Sequence, residues 1–238
     1  MEKKKVMKYV TFSFDDGITQ DKRMIEILNK YGLKCTFNLN SALLGLKGGW
    51  ETEGKYLSHN KVSPLEVKQI YEGHEVAAHT LTHPNLPGES DAAVVYQVEE
   101  DRKQLSRLVG YEVCGMAYPG GGVNNDDRVA GLIKTQTGVR YARTITPTYS
   151  LDLPENVYRL NPTLFVGETE KMFEIGEQLI TAQPEKPMLF FIWGHAYEFD
   201  VRDEIPWERF EEFCQFISGK EDIYYGTNTE VLSRLNLI

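Results

Sequence analysis

Little in this sequence is basic, rich in sulfur or continuously apolar. Lys and Arg number 26 against 35 Asp and Glu, a formal net charge of −9 over 238 residues. That balance attracts neither phosphate backbones nor anionic lipid, so nucleic-acid and membrane-surface partners are not expected, and neutral or cationic substrates stay open. The three cysteines, Cys35, Cys114 and Cys214, are far apart and odd in number. They form neither a zinc spacing nor a disulfide framework, and a reducing compartment is the default expectation. No stretch reaches the roughly 20 apolar residues of a membrane span. The basic start, Met1-Glu2-Lys3-Lys4-Lys5, runs into a segment interrupted by Lys8, with no room for a secretory apolar core and cleavage site. As written the chain reads as cytoplasmic, although a trimmed form of a secreted protein would look the same.

What is present is an alternation of strand-like and helix-like segments. Residues 6–14 are apolar, β-branched or aromatic apart from Lys8 and Ser13, and predict a buried strand. In residues 19–31, Met24, Ile25, Ile27 and Leu28 recur at helical spacing before a stop at Gly32. Strands are expected over 33–39, 76–78, 113–118, 139–144, 188–193 and 223–225. Helices are expected over 90–109, 125–137, 168–182, 207–218 and 227–235. Ser63-Pro64-Leu65-Glu66 has the form of a helix start, with Ser63 as cap and Glu66 closing a capping box. Residues 40–62 are Gly-rich and polar and read as a surface excursion holding Trp50 and Tyr56, while residues 145–165, with three prolines, read as irregular. About seven strand–helix alternations without a linker or internal repeat predict one parallel α/β domain over residues 1–238, a barrel.

The residues suited to chemistry fall just after the predicted strands, the face on which such folds build their sites. Asp15-Asp16-Gly17 ends the first strand. Two acids before a glycine are an ordinary turn signal. Here the turn closes an apolar strand, and adjacent carboxylates in a shared site repel unless a cation sits there. His79 and His83 are four apart, a spacing that puts both imidazoles on one side of a tight turn or helix. With one carboxylate they make a two-His, one-carboxylate set, which leaves positions open for water and substrate. Zinc suits such donors best, with cobalt, nickel and iron also compatible. His195 ends the most apolar strand and fits a general acid. His74 precedes its strand and reads as structural, and His59 as a solvated loop residue. The glycines of Tyr118-Pro119-Gly120-Gly121-Gly122 allow close backbone approach to a substrate, and no Gly-Lys-Ser/Thr follows to make a phosphate loop. Among aromatic residues, Trp193 and Tyr197 stand nearest His195 and are favoured over Trp50, Tyr56 and Trp207 for stacking on sugar rings.

At these residues the sequence resembles the polysaccharide deacetylases, carbohydrate esterase family 4. Phe12-Ser13-Phe14-Asp15-Asp16-Gly17 looks like that family's first motif, and Gly73-His74-Glu75 through His79-Thr80-Leu81-Thr82-His83-Pro84 like its second. The resemblance implies a distorted (β/α) barrel of about seven strands and metal-dependent removal of acetyl groups from carbohydrate. By motif position, Asp15 would be the base, Asp16, His79 and His83 the metal ligands, and His195 the acid. The family's third motif usually carries an arginine that holds the catalytic aspartate; Ala117 stands there. Arg143 on the next strand, ahead of Arg140, is the expected replacement. The aspartate and tryptophan of the fourth motif have no clear counterpart, Asp152 being the nearest candidate for that aspartate.

The activity expected is hydrolysis of the N-acetyl group of an amino sugar in a glycan or oligosaccharide. Asp15 would take the proton of water, a backbone N–H near Tyr118, Pro119 and Gly120 would face the oxyanion, and His195 would protonate the amine. An acetyl-ester or small-amide hydrolase on the same metal site, and a glycan-binding protein with a degenerate site, are the alternatives.

Overall fold

The computed structural model describes residues 6–52 and 54–238. Strand β1 (Lys8–Asp15) is its axis, with all eight residues buried. Parallel strands covered on both faces bury every residue: Tyr9, Val10, Phe12 and Phe14 are apolar, and the buried hydroxyls between them are satisfied, Thr11 donating to Asn228 Oδ1 and Ser13 accepting from Asn38 Nδ2, both at 2.8 Å. One edge of β1 pairs along its length with β9 (Met188–Gly194), from Lys8 opposite Met188 to Phe14 opposite Gly194. The other edge is divided. β2 (Cys35–Leu39) takes the upper half, from Phe12 to Asp15, and β10 (Ile223–Tyr225) the lower, from Lys8 to Val10. Beyond β2 lie β5 (Glu75–Ala78), β6 (Gly115–Ala117) and β7 (Tyr141–Arg143), and beyond β9 lies β8 (Leu164–Phe165). Every pairing in this sheet is parallel. The sheet curls until its ends approach: Leu160 bridges Arg143 of β7, and the chain runs on into β8 beside β9. The parallel α/β barrel expected from the alternation, distorted as the family resemblance implies, is the fold.

Helices α1 (Asp21–Lys30), α3 (Asp91–Val109), α4 (Asp127–Gln136), α5 (Thr169–Thr181), α7 (Trp207–Ile217) and α8 (Asn228–Arg234) join the strands, together with the one-turn α2 (Val67–Ile70) and α6 (Glu198–Val201). Their ends follow local chemistry. Ser90 accepts from the Ala93 N–H at the start of α3, and Gly110 closes that helix at φ 85°. Asp126 caps α4, and Thr227 with Glu230 forms a capping box on α8.

Three local expectations need correction. Ser63 does not cap a helix: residues 63–66 form a turn, α2 begins at Val67, and the Glu66 carboxylate reaches Lys22 at 3.2 Å instead of closing a box. Residues 40–62 are not a loose excursion. They carry an antiparallel hairpin, β3 (Gly49–Thr52) with β4 (Lys55–Ser58). The returning leg is tied to the Asp-Asp-Gly turn, Thr19 N–H donating to Asn60 C=O at 2.8 Å and Val62 N–H to Gly17 C=O at 2.9 Å. Residues 145–165 include the Leu160 bridge and β8, too short and too near Pro162 to show periodicity. Among the described residues, no helix is long and apolar enough to cross a membrane.

Candidate active site

The upper end of β1 brings Asp15 and Asp16 to the mouth of the core. Gly17 makes the turn possible: it sits at φ +61°, and a Cβ there would lie 2.8 Å from the Leu39 side chain. Asp15 is almost wholly buried. Its Oδ1 accepts from Asn38 Nδ2 at 2.9 Å and from Arg143 Nη2. Arg143 is fully buried, and its guanidinium lies 4.8 Å from the centre of the Trp193 ring. Burial would raise the Asp15 pKa, but the charges of Arg143, His79 and His195 with the Arg143 hydrogen bond together outweigh it, and the pKa is lowered from its usual value.

Asp16 turns the other way, at φ 86°. His59 Nε2 is 3.2 Å from its Oδ2, and Lys61 Nζ is 3.3 Å from its Oδ1. Against the opposing effect of burial, the His59 hydrogen bond and the Lys61 charge hold its pKa well below the ordinary value. The reading of His59 as a solvated loop residue is therefore corrected: the hairpin carries it back onto Asp16.

His79 follows β5 and is buried. Its Nδ1 is 2.9 Å from the Ala117 carbonyl, which assigns the proton to that nitrogen and leaves the Nε2 lone pair facing the carboxylates, 4.0 Å from Asp15 Oδ2. Burial pushes its pKa down to about 4, so the ring is neutral at ordinary pH. His83, with its side chain 34% exposed, places Nε2 3.9 Å from Asp16 Oδ1. The two imidazoles pack edge to face, 4.9 Å between centres. Ligand atoms of Asp16, His79 and His83 all lie within 4.8 Å of one another. Asp16, Thr80 and His83 account for three of the five non-glycine residues at positive φ among those described. Backbone strain of this sort, of order 1–3 kcal/mol each, persists where surrounding contacts impose it. Here Asn40 Nδ2 holds the His79 and Thr80 carbonyls at 2.6 and 3.0 Å, and Asp101 accepts the His79 N–H at 2.9 Å. Two imidazoles, one with its proton pinned outward, and a carboxylate on one opening fit a divalent metal.

His195, at the upper end of β9, completes the group. Its Nε2 lies 4.0 Å from Asp15 Oδ2 and 4.0 Å from Asp16 Oδ2, and its Nδ1 3.4 Å from Glu198 Oε1. Burial works to lower its pKa, yet Glu198 and the two aspartates outweigh that and raise it. Tyr197 stacks on the ring at 4.9 Å.

Other predicted residues fall elsewhere. The Tyr118 N–H is donated to the Arg143 carbonyl at 2.9 Å and its hydroxyl to the Tyr158 carbonyl at 2.7 Å. Tyr118 therefore has no N–H to offer an oxyanion, and Pro119 has none; the first backbone donor remaining in that stretch belongs to Gly120, at φ 83°. Asp152 pairs with Lys186 at 2.6 Å, with its side chain 63% exposed, and has no part in the site. Trp193 has its faces against Arg143 and Phe165, and Trp207 is buried against Phe199. The exposed ring at the opening is Trp50 of β3, which meets His59 at 5.3 Å and Tyr197 at 5.7 Å and lines a cavity of about 430 Å³ with Asp16 and His83. Asn38, Asn40, Lys61 and Asp101 carry no motif signal; only the folded chain brings them to the aspartates and histidines.

Comparison with known proteins agrees with this arrangement. The polysaccharide deacetylase profile matches residues 2–142, and the chain belongs to that family. The deacetylases of this family are hydrolases that act on carbohydrate and generally use a divalent metal. The peptidoglycan-N-acetylglucosamine deacetylase PgdA of Listeria monocytogenes is 27% identical over 125 residues, 51% of this chain and 23% of its own length. The chain thus spans about a quarter of the curated relatives it matches. Among solved structures, a family 4 acetyl xylan esterase from Clostridium thermocellum, in complex with a cobalt ion, superposes with a TM-score of 0.57 at 15% identity, covering 97% of this chain and 93% of that one. The Xyl-CE4 domain of a multidomain xylanase from the hindgut metagenome of Trinervitermes trinervoides gives 0.56 at 17%, covering 96% and 91%. A CE4 family pseudoenzyme from Bacillus anthracis gives 0.54 at 18%, covering 94% and 65%. At such identities the likeness is one of fold.

Proposed function

We propose that this chain is a metal-dependent hydrolase that removes N-acetyl groups from an amino-sugar-containing glycan or oligosaccharide. The observation that carries the proposal is the convergence of Asp15, Asp16, His79, His83 and His195 from the upper ends of β1, β5 and β9 onto one opening. Asp16, His79 and His83 would hold the metal, zinc in the first instance and cobalt, nickel or iron by the same donor chemistry. The metal supplies Lewis acidity, which polarises a carbonyl and acidifies water.

Asp15, not among the ligands, is the base. Arg143 and Asn38 fix its Oδ1 and leave Oδ2 turned toward His79 and His195. Arg143 thus performs from β7 the orienting task vacant at Ala117. His195, its pKa raised by Glu198 and the aspartates, gives its proton to the departing nitrogen, which leaves poorly as an anion. Trp50 and Tyr197 wall the opening and present apolar ring surface to a sugar. The PgdA likeness favours an amide of N-acetylglucosamine as the bond cleaved.

Acetate release tests the reading, measured on N-acetylglucosamine oligomers, peptidoglycan fragments and acetylated xylan, with chelator and then with zinc or cobalt restored. Metal-dependent release from the amino sugars is expected. No release from any of them, in a protein carrying stoichiometric metal, refutes the hydrolase. Release from xylan alone assigns the site to esters.

A further inference from the structure

Both carboxylate oxygens of Asp16 already have a partner. His59 Nε2 is 3.2 Å from Oδ2, and Lys61 Nζ is 3.3 Å from Oδ1. The Lys61 ammonium also donates to the Asp16 carbonyl at 2.7 Å and to Asn40 Oδ1 at 3.4 Å. Its side chain is only 6% exposed, so solvent screens the pair poorly. Arg143 stands against Asp15 in the same fashion. Two buried carboxylates thus face two fixed cations before any metal enters.

The position of Lys61 is built in. The residue bridges Ile18 antiparallel, and its N–H donates to the Leu46 carbonyl at 2.9 Å. Its flanks are pinned to the turn as well, with Asn60 and Val62 bonded to Thr19 and Gly17. The side chain therefore has a short, fixed reach to Asp16. An ammonium held there repels a divalent ion and draws on the same oxygen lone pairs the ion would use.

We infer that Lys61 is a resident counter-cation of Asp16, which a divalent metal must share or displace, and that it lowers the affinity of the site for that metal. The inference rests on the metal-site reading above. Its test is the sign of a change in affinity. Metal-stripped protein is titrated with zinc by calorimetry, and with cobalt by visible absorption. Lys61→Met and Lys61→Gln are expected to bind roughly 10–100-fold tighter than wild type, the range over which groups just outside the coordination sphere move metal affinity. Lys61→Arg, which keeps the charge, is expected to stay near wild type. Should Lys61→Met fail to fold, Lys61→Gln keeps a donor for the Asp16 carbonyl and carries the test.

A lysine that only braces the turn predicts the reverse: both neutral variants would bind more weakly. Weaker or unchanged binding overturns the inference. Zinc binding that His83→Ala abolishes, beside unchanged Lys61 variants, overturns this inference and leaves the metal site standing. No zinc binding in wild type or in any variant removes both.

Discussion

The two ends of the sheet both bury carboxylate and imidazole, and they use them differently. At the lower end Glu75 opens β5. Its oxygens accept from Tyr141 Oη at 2.9 Å, Thr36 Oγ1 at 2.8 Å, the Thr229 N–H at 3.0 Å and the Thr229 hydroxyl. These donors are neutral, and two, both from Thr229, belong to the first turn of α8, where the helix dipole favours an anion. His74 nearby accepts from the Cys35 N–H through Nδ1 and meets Asn29 Oδ1 through Nε2, both at 3.2 Å. Burial, with Lys34 beside it, keeps that ring neutral by lowering its pKa to about 4. Each group is satisfied locally, and the network fastens the C-terminal helix to the sheet. At the upper end His79 has one nitrogen tied and the other directed at carboxylates. The carboxylates there need full cations, the backbone at Asp16 and His83 is strained, and a cavity opens beside them. The same residue types make a fastening at one end and line an open cleft, the candidate site, at the other. What separates them is spare lone pairs, strain and access, not burial.

Substitutions at the two ends should therefore separate turnover from stability. Asp15→Asn is expected to fall toward the far end of the roughly 10²–10⁴-fold range for a lost base, with zinc content unchanged by elemental analysis. His195→Ala should lose roughly 10²-fold in kcat, again with metal retained, and normal turnover would remove it from the mechanism. Glu75→Ala should leave kcat of the folded protein intact and lower stability by about 3 kcal/mol, because buried donors lose their acceptor. A large loss of kcat at full folding would erase the distinction between the ends. The smallest effect concerns Asp21, which burial pushes up to about 8 against the hydrogen bond from Tyr71. Its folded pKa lies above its unfolded value, so the unfolded chain ionises first and stability falls as pH rises from about 4 to 8. Asp21→Asn should remove that fall, worth on the order of 2 kcal/mol between pH 5 and 6.5, read from urea midpoints of variant and wild type. An unchanged slope would show that Asp21 ionises freely in the fold.

Much of the architecture was visible in the chain because its signals are local. The strand signals of β1 and β9 and the helical spacing of α1, stopped at Gly32, each act within a few residues. The Asp-Asp-Gly turn and the His79/His83 spacing are local too, and the fold sets both at the opening. What was hidden depends on return and register. Residues 40–62 alternate too weakly to show a hairpin, and nothing local tells that His59 and Lys61 come back to Asp16. Ser63-Pro64-Leu65-Glu66 has the letters of a capping box, but Glu66 finds Lys22 across the surface. Tyr118 had to be folded before its N–H could be seen to be spent on β7. Ala117 showed a vacancy, and Arg143 stands beside Asp15 only because β6 and β7 pair in register, Ala117 opposite Arg143.

The division of β1 between early and late partners bears on how the protein is made. The upper part of one flank meets β2, which follows it closely in the chain, while the opposite flank waits for residues 188–194 and the lower part for residues 223–225. At ordinary elongation rates the first strand is translated on the order of ten seconds before its companions. For that interval the nascent polypeptide carries an oily ribbon with unpaired amides, a ready template for wrong partners. A fragment ending at residue 142, where the family match stops, would carry the same hazard permanently and should accumulate as inclusion bodies, whereas a chain that runs through β9 and β10 closes it over.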